Sequence, residues 1–319
     1  MSAEQTSTRP PIAPVTSLRQ SEPNPRARPL GGALRQLRKA KGISLEKSAR
    51  AIRASASKLS RLERAVNPVQ EHDLWKLVEF YGAPRERWPE FYELWRQAQP
   101  DQGKGPISDV APGWLHNLIE HEQAASRIMA FEPLVVVGLL QTADYARALV
   151  RTELGDSVDA MTVERHVLVR KDRWRAFASQ KDCTLVVVLG EGVLRCLVGG
   201  LRVMHEQVKH LRTAADLAHV SIHIIPYDRD GLSRAPSLPI AHLKYDDGGP
   251  CELIYVEGLD SAEYITDQER LDKGRSRLES AMDAALQRKG SIAMLDDYVA
   301  MYERRLAEQE PLSSPPARN

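Results

Sequence analysis

The stretch LRQLRKAKGISLEKSARAIRASASKLSRLERA, Leu34 to Ala65, decides the reading of the amino-terminal region. Ser44 can cap a helix over residues 45–51, because its hydroxyl accepts a bond from a backbone donor that no helical carbonyl reaches, and Glu46 suits the positive end of that helix. Ser55 opens a second capped helix after a brief turn. Leu34, Leu37, Ala49, Ile52, Leu59 and Leu62 recur at helical spacing and can close a small core, which leaves Ser57, Lys58 and Arg61 on one outward face. Arg38 in the first helix and Glu63 in the third are placed to form a partly buried structural salt bridge, which fixes orientation more than it adds stability. The layout is that of a helix-turn-helix, whose second helix enters a DNA major groove.

Charge supports this reading. Residues 26–65 carry twelve arginines and lysines against two acids, Glu46 and Glu63, a local net of +10. The whole chain is only +1, so the remainder sums to −9 and the phosphate-attracting surface lies at the amino-terminal end.

These residues resemble the Xre family, the phage-repressor-type helix-turn-helix proteins, over roughly Leu34 to Gly82, with SKLSRLER (Ser57 to Arg64) the diagnostic stretch. The resemblance implies base contacts from Ala56, Ser57 and Arg61 and phosphate contacts from Ser55, Lys58 and Arg64. Three positions depart from the family pattern. Leu45 stands where relatives often place a phosphate-binding glutamine, Arg53 where a glycine commonly makes the turn, and Ala65 where a glycine commonly ends the recognition helix. An arginine at positive φ is costly, so a reshaped turn is expected.

At 319 residues with 42% hydrophobic composition the chain has room for a second, larger domain. Residues 1–29 are rich in Pro, Ser, Thr and Arg and read as a disordered basic arm; 30–99 form the helix-turn-helix domain, 100–112 (PDQGKGPISDVAP from Pro100 to Pro112) a linker, 113–305 the second domain and 306–319 a disordered tail. No apolar run approaches the about 20 residues a membrane span needs, and no apolar signal core opens the chain, so a cytoplasmic location with no membrane contact is expected. Cys183, Cys196 and Cys251 are odd in number, widely spaced and without a CxxC pair, which suits reduced, buried thiols.

Within the second domain the spacing predicts helices over 114–129, 142–150 and 158–178. Strand-length apolar runs follow at 184–189, 220–225, 240–245 and 253–257, interleaved with helices at 192–197, 202–217 and 267–288. The expected fold is therefore α+β overall: an all-α, phage-repressor-like helix-turn-helix domain followed by a mixed α/β domain with one sheet and helices packed on it.

This region also resembles a family, the WhiJ-like regulators of actinobacteria, from about Trp114 to Ser291. The resemblance rests on GLLQTADYARA (Gly138 to Ala148), VRKDRW (Val169 to Trp174), EGVLRCLVGG (Glu191 to Gly200), VMHEQVKHL (Val203 to Leu211), IIP (Ile224 to Pro226) and YVEG (Tyr255 to Gly258), with Val137 where relatives commonly carry proline. It implies transcription control, often with a small partner protein encoded nearby, and no established ligand.

No phosphate-cradling loop, dinucleotide fingerprint, nucleophile elbow or HExxH helix is present, and Gly155-Asp156-Ser157 falls between expected helices, so no enzyme activity, cofactor or metal is expected. The nine histidines are spread out and read as surface or core residues, and the pairs Asp246-Asp247 and Asp296-Asp297 as turn and helix-end residues. Gln141, Thr142, Tyr145 and Arg147 cluster polar groups at a loop-to-helix start that can line an effector pocket beside Glu191 or Glu257; helix capping by Thr142 with ordinary packing is the simpler reading. The function expected is a sequence-specific transcriptional regulator that binds double-stranded DNA as a homodimer and whose carboxy-terminal domain senses a ligand or protein partner. The alternative is an antitoxin-like or scaffold protein that mainly binds a small acidic partner protein and regulates its own operon.

Overall fold

Five helices build the amino-terminal module: α1 (Arg28–Ala40), α2 (Leu45–Ala51), α3 (Ala56–Glu63), α4 (Glu71–Phe80) and α5 (Trp88–Gln97). The computed structural model describes residues 23–99, 113–155, 158–228, 233, 235–246, 252–258 and 261–309. Leu30, Leu34, Leu59, Leu62, Leu74, Leu77 and Phe91 form the module's core. α1 crosses the end of α3 so closely that a Cβ on Gly31 would lie 2.7 Å from the Glu63 carbonyl oxygen, and only glycine permits that approach.

The expected arm over 1–29 is shorter than the sequence implies. Residues 23–29 are ordered, with Pro25, Ala27 and Arg28 buried. Asn24 organises them: its side chain accepts from the Arg26 N–H and donates to the Ala98 carbonyl, and its backbone N–H donates to the Ala65 carbonyl. These anchors are polar and mostly reach residues distant in sequence, so an absent apolar stripe gave no sign of them. The rest of the arm (1–22), the linker at 100–112 and the tail beyond 309 lie outside the described residues.

The second domain is a six-stranded sheet in the order β3-β2-β1-β4-β5-β6, with β1 (Arg127–Glu132), β2 (Thr184–Gly190), β3 (Val220–Ile225), β4 (Ile240–Lys244), β5 (Glu252–Glu257) and β6 (Ala262–Ile265). β1, β2 and β3 are parallel to one another, whereas β4, β5 and β6 run antiparallel to their neighbours. The central strands are covered on both faces, which explains their unbroken apolar runs. Ile128, Ala130, Leu185, Val187, Ile222 and Ile224 face a core shared with α6 (Gly113–Ala124), α7 (Ala143–Leu154), α8 (Ala160–Ser179), α10 (Leu201–Ala214) and α12 (Arg288–Gln309). Met129, Phe131, Val188 and Ile225 face the opposite side, against α11 (Gln268–Ala284). A short α9 (Gly192–Arg195) follows β2.

Three elements differ from the sequence reading. The helix expected over 114–129 stops at Ala124, and RIMAFE becomes β1, the strand between β2 and β4; its pairing partners lie more than fifty residues away. β6 was not read because AEYI is short and edge-placed. α12 was not read either, so Asp296 and Asp297 sit inside a helix rather than at its end, and Asp296 accepts from Arg212 Nε at 2.7 Å. Cys183 is buried as expected, Cys196 is exposed because it caps α9 at the surface, and Cys251 lies outside the described residues.

Gly31→Ala is expected to destabilise the protein by about 1–3 kcal/mol, since the obstructing atom is backbone and cannot rotate away. An unchanged denaturation midpoint for this variant would show that α1 and α3 can separate at no cost.

Candidate nucleic-acid interface

The turn between α2 and α3 sets the geometry of the site. Ser44 Oγ accepts from the Lys47 N–H and Ser55 Oγ from the Lys58 N–H, so both helices begin where their caps stand. Arg53 between them takes φ 54° and Ala65 after α3 takes φ 58°: the turn is not reshaped, and both residues adopt the left-handed conformation usually left to glycine. Arg38 closes the arrangement. Its Nε and Nη2 donate to the two oxygens of Glu63 at 2.6 and 2.8 Å, and its Nη1 donates to the Ile43 carbonyl at 3.1 Å. The bond to Glu63 holds the Arg38 guanidinium above its ordinary pKa, against the opposing effect of burial.

Leu59 and Leu62 turn inward from α3, which leaves Ser55, Ser57, Lys58 and Arg61 exposed and Ala56 half-buried at its amino-terminal end. Five of the six residues assigned to DNA contact thus share one surface. Lys58 Nζ lies 3.8 Å from the buried Asp73 carboxylate of α4, a partner that keeps it near the face. Arg64, the sixth, is engaged elsewhere. Its Nη1 donates to the Thr266 carbonyl and hydroxyl at 3.3 and 3.2 Å, and burial lowers its pKa.

Thr266 belongs to the sheet domain, and other contacts join the two domains beside it. The Arg28 guanidinium lies 3.3 Å above the Tyr245 ring centroid, with Arg28 1% exposed. His121 on α6 is fully buried between Pro23 and Tyr245. Its Nε2 lies 3.2 Å from the Pro23 carbonyl, to which it can only donate, and in the neutral ring that burial enforces Nδ1 is left to accept from the Tyr245 hydroxyl at 2.9 Å. Burial, with the Arg28 charge in second place, pushes the His121 pKa down to about 3. Arg26 adds a bond to Glu120 at 2.9 Å.

The residues assigned to an effector pocket do not converge. Gln141 and Tyr145 brace the loop before α7: Gln141 Nε2 donates to the Val136 carbonyl and the Val136 N–H donates to the Tyr145 hydroxyl. Thr142 caps α7 and donates its N–H to Gln207. Arg147 points to the surface, paired with Asp144 and Glu164. Glu191 lies under another cleft, accepting from Tyr298, Arg195 and the Tyr227 N–H. Glu257, at the carboxyl end of β5, accepts from Tyr255. Beside it stands a residue the sequence reading missed, Glu132 at the end of β1, whose Oε2 is buried with no hydrogen bond among the described residues. Burial, then the Glu257 charge, raises its pKa to about 8. An acid closing an apolar strand was the available signal. Arg28, His121 and Tyr245 carried none, since they meet only in the fold.

A family model described as a helix-turn-helix domain matches residues 29–91, and one described as a domain of unknown function, DUF5753, matches residues 115–297. The chain belongs to the DUF5753 family. No curated protein and no solved structure matches it. The DUF5753 match covers the strands and helices from α6 into α12, and the helix-turn-helix match covers the capped, basic module, which is a DNA-binding domain of the kind found in transcription regulators. Among the described residues no helix is long and apolar enough to cross a membrane.

Two outcomes are expected. Arg53→Gly should stabilise the protein by about 0.5–1 kcal/mol in chemical denaturation, because it relieves a left-handed arginine at an exposed position. For Glu132, the folded carboxyl holds its proton to about pH 8 while the unfolded one releases it near the model-peptide value of 4.5. Its contribution is therefore complete below about pH 4.5 and is lost as pH rises through 8, roughly 3–5 kcal/mol in all. The stability of Glu132→Gln should fall less than that of the unsubstituted protein over this range; parallel pH profiles would refute the assignment.

Proposed function

We propose that this protein is a sequence-specific transcriptional regulator of the Xre type, that it binds double-stranded DNA as a homodimer through α3, and that its DUF5753 domain senses a ligand or protein partner. One observation carries the reading: the capped helix α3 presents Ser55, Ser57, Lys58 and Arg61 together on an exposed face, in a segment with a local net charge of +10. Arg61 lies one turn beyond the helix start, where a guanidinium can pair with the N7 and O6 acceptors of guanine. Ser55 and Lys58 flank it with a hydroxyl and an ammonium suited to phosphate. The resemblance of the second domain to WhiJ-like regulators, which control transcription with the help of a small partner protein, supports the sensing role.

The test is binding of the purified protein to its own upstream DNA and to random DNA of equal length across a salt series. A preference of about a thousandfold or more at physiological salt is expected of a specific regulator. Arg61→Ala should cost about 1–3 kcal/mol on the preferred sequence and relax base preference, whereas Lys58→Ala should weaken all sequences alike and flatten the salt slope by about one unit. Equal, steeply salt-dependent binding of both DNAs would reduce the contact to non-specific electrostatics.

A further inference from the structure

Between α11 and the sheet runs an open cleft of about 470 Å³, closed on its third side by Pro236, Ser237 and Leu238. Its floor is apolar, made by Ile240 of β4, Val256 of β5 and Ile265 of β6. α11 can approach this floor because of Gly274, where a Cβ would come within 2.2 Å of Ile254 Cδ1. On either side of that glycine, Arg270, Lys273 and Arg277 recur at helical spacing along the cleft wall, and among the described residues no acid lines the cleft. Arg270 is fixed by Glu263 and Lys273 is paired with exposed Glu269, a surface pair worth little against a competing anion. Arg277 makes no hydrogen bond or ion pair with a described residue. The cleft above Glu191 has a similar volume but is lined by Arg195 and Arg305 against Glu191 and Asp297, so it selects no sign of charge.

The basic cleft also touches the DNA-binding module at one remove. Ile265 forms part of its floor; the next residue, Thr266, accepts both bonds from Arg64 at the end of α3, and Asp267 caps α11 through the Arg270 N–H at 3.2 Å. Anything that lifts β6 or shifts the start of α11 moves the acceptor that holds the recognition helix.

We propose that this cleft is the effector site, that it takes an amphipathic organic anion, a carboxylate or phosphate monoester on an acyl or aromatic body, and that occupancy is relayed to α3 through Ile265, Thr266 and Arg64. The body lies on the three-strand floor and the head group on Arg277 and Lys273. The relay rests on the reading of the protein as a DNA-binding regulator; the binding site does not.

The test has two parts with separate readouts. Decanoate and decyl phosphate are titrated into the full chain by calorimetry without DNA, with decyltrimethylammonium as the control of equal body and opposite charge. One-site binding of the anions, at least tenfold weaker for the cation and at least tenfold weakened by Arg277→Glu, is expected. Arg277 is a solvent-facing residue of α11, and circular dichroism of the variant checks that it folds. Equal binding of both charges, no binding at millimolar concentration, or indifference to Arg277→Glu overturns the site. A clear difference between decanoate and decyl phosphate identifies which head group it favours. DNA affinity is then measured with and without saturating anion. A severalfold change that Arg64→Ala abolishes while anion binding persists is expected, and an unchanged DNA affinity overturns the relay. Should the anions bind as described to a protein that prefers no DNA sequence, the regulator reading fails and the cleft assignment stands.

Discussion

The arginine stacked at the domain boundary constrains the rest of the molecule. Arg28 begins α1, yet its guanidinium lies on Tyr245 at the end of β4, and Tyr245 in turn donates to the neutral His121 beneath the Pro23 carbonyl. A buried cation held over an aromatic face tolerates little displacement, because desolvation has removed the water that would stabilise any other position. The orientation of α1 therefore follows from the sheet domain. Through the Arg38–Glu63 pair α1 in turn positions α3, so the recognition surface is referenced to the sheet.

The sheet's own plan determines where chemistry can gather. β1 is parallel to β2 on one side and antiparallel to β4 on the other, so the sheet changes from parallel to antiparallel pairing there, and the carboxyl ends of β1, β2 and β5 lie along one edge. Glu132 at the end of β1, Glu191 just after β2 and Glu257 at the end of β5 all stand at this edge. Burial raises the proton affinity of both Glu132 and Glu257; the Glu257 charge adds to the effect at Glu132, whereas the Tyr255 hydroxyl and the Arg173 charge oppose it at Glu257. The third is neutralised by Arg195 and two hydroxyl or amide donors.

Much of the amino-terminal module was legible because its determinants are local. Ser44 and Ser55 announce the helix starts, Leu59 and Leu62 the inward face, and the arginines and lysines the outward one. The second domain was legible where strands are long and apolar, as at residues 184–189 and 220–225. It was not legible at RIMAFE, since residues 127–129, which continue a helical period, join a strand only when two distant strands flank them. The pocket residues illustrate the same limit. Gln141, Tyr145, Arg147, Glu191 and Glu257 are polar groups in suggestive positions, but each found a partner in its own neighbourhood, and convergence depends on three-dimensional placement. The ordering of residues 23–29 depends on Asn24 reaching carbonyls at Ala65 and Ala98, which no window of sequence displays.

That segment bears on how such a protein could have been assembled. Asn24 satisfies acceptors inside the helical module while Pro23, Arg26 and Arg28 satisfy groups on the sheet domain, so this one segment is shared property of both. A helix-turn-helix excised from Leu30 onward would carry exposed carbonyls and an unsupported first turn, and a sheet domain without it would bare the Tyr245 ring. The two halves are thus not interchangeable cassettes: exchange of one by recombination would have to bring its seam along.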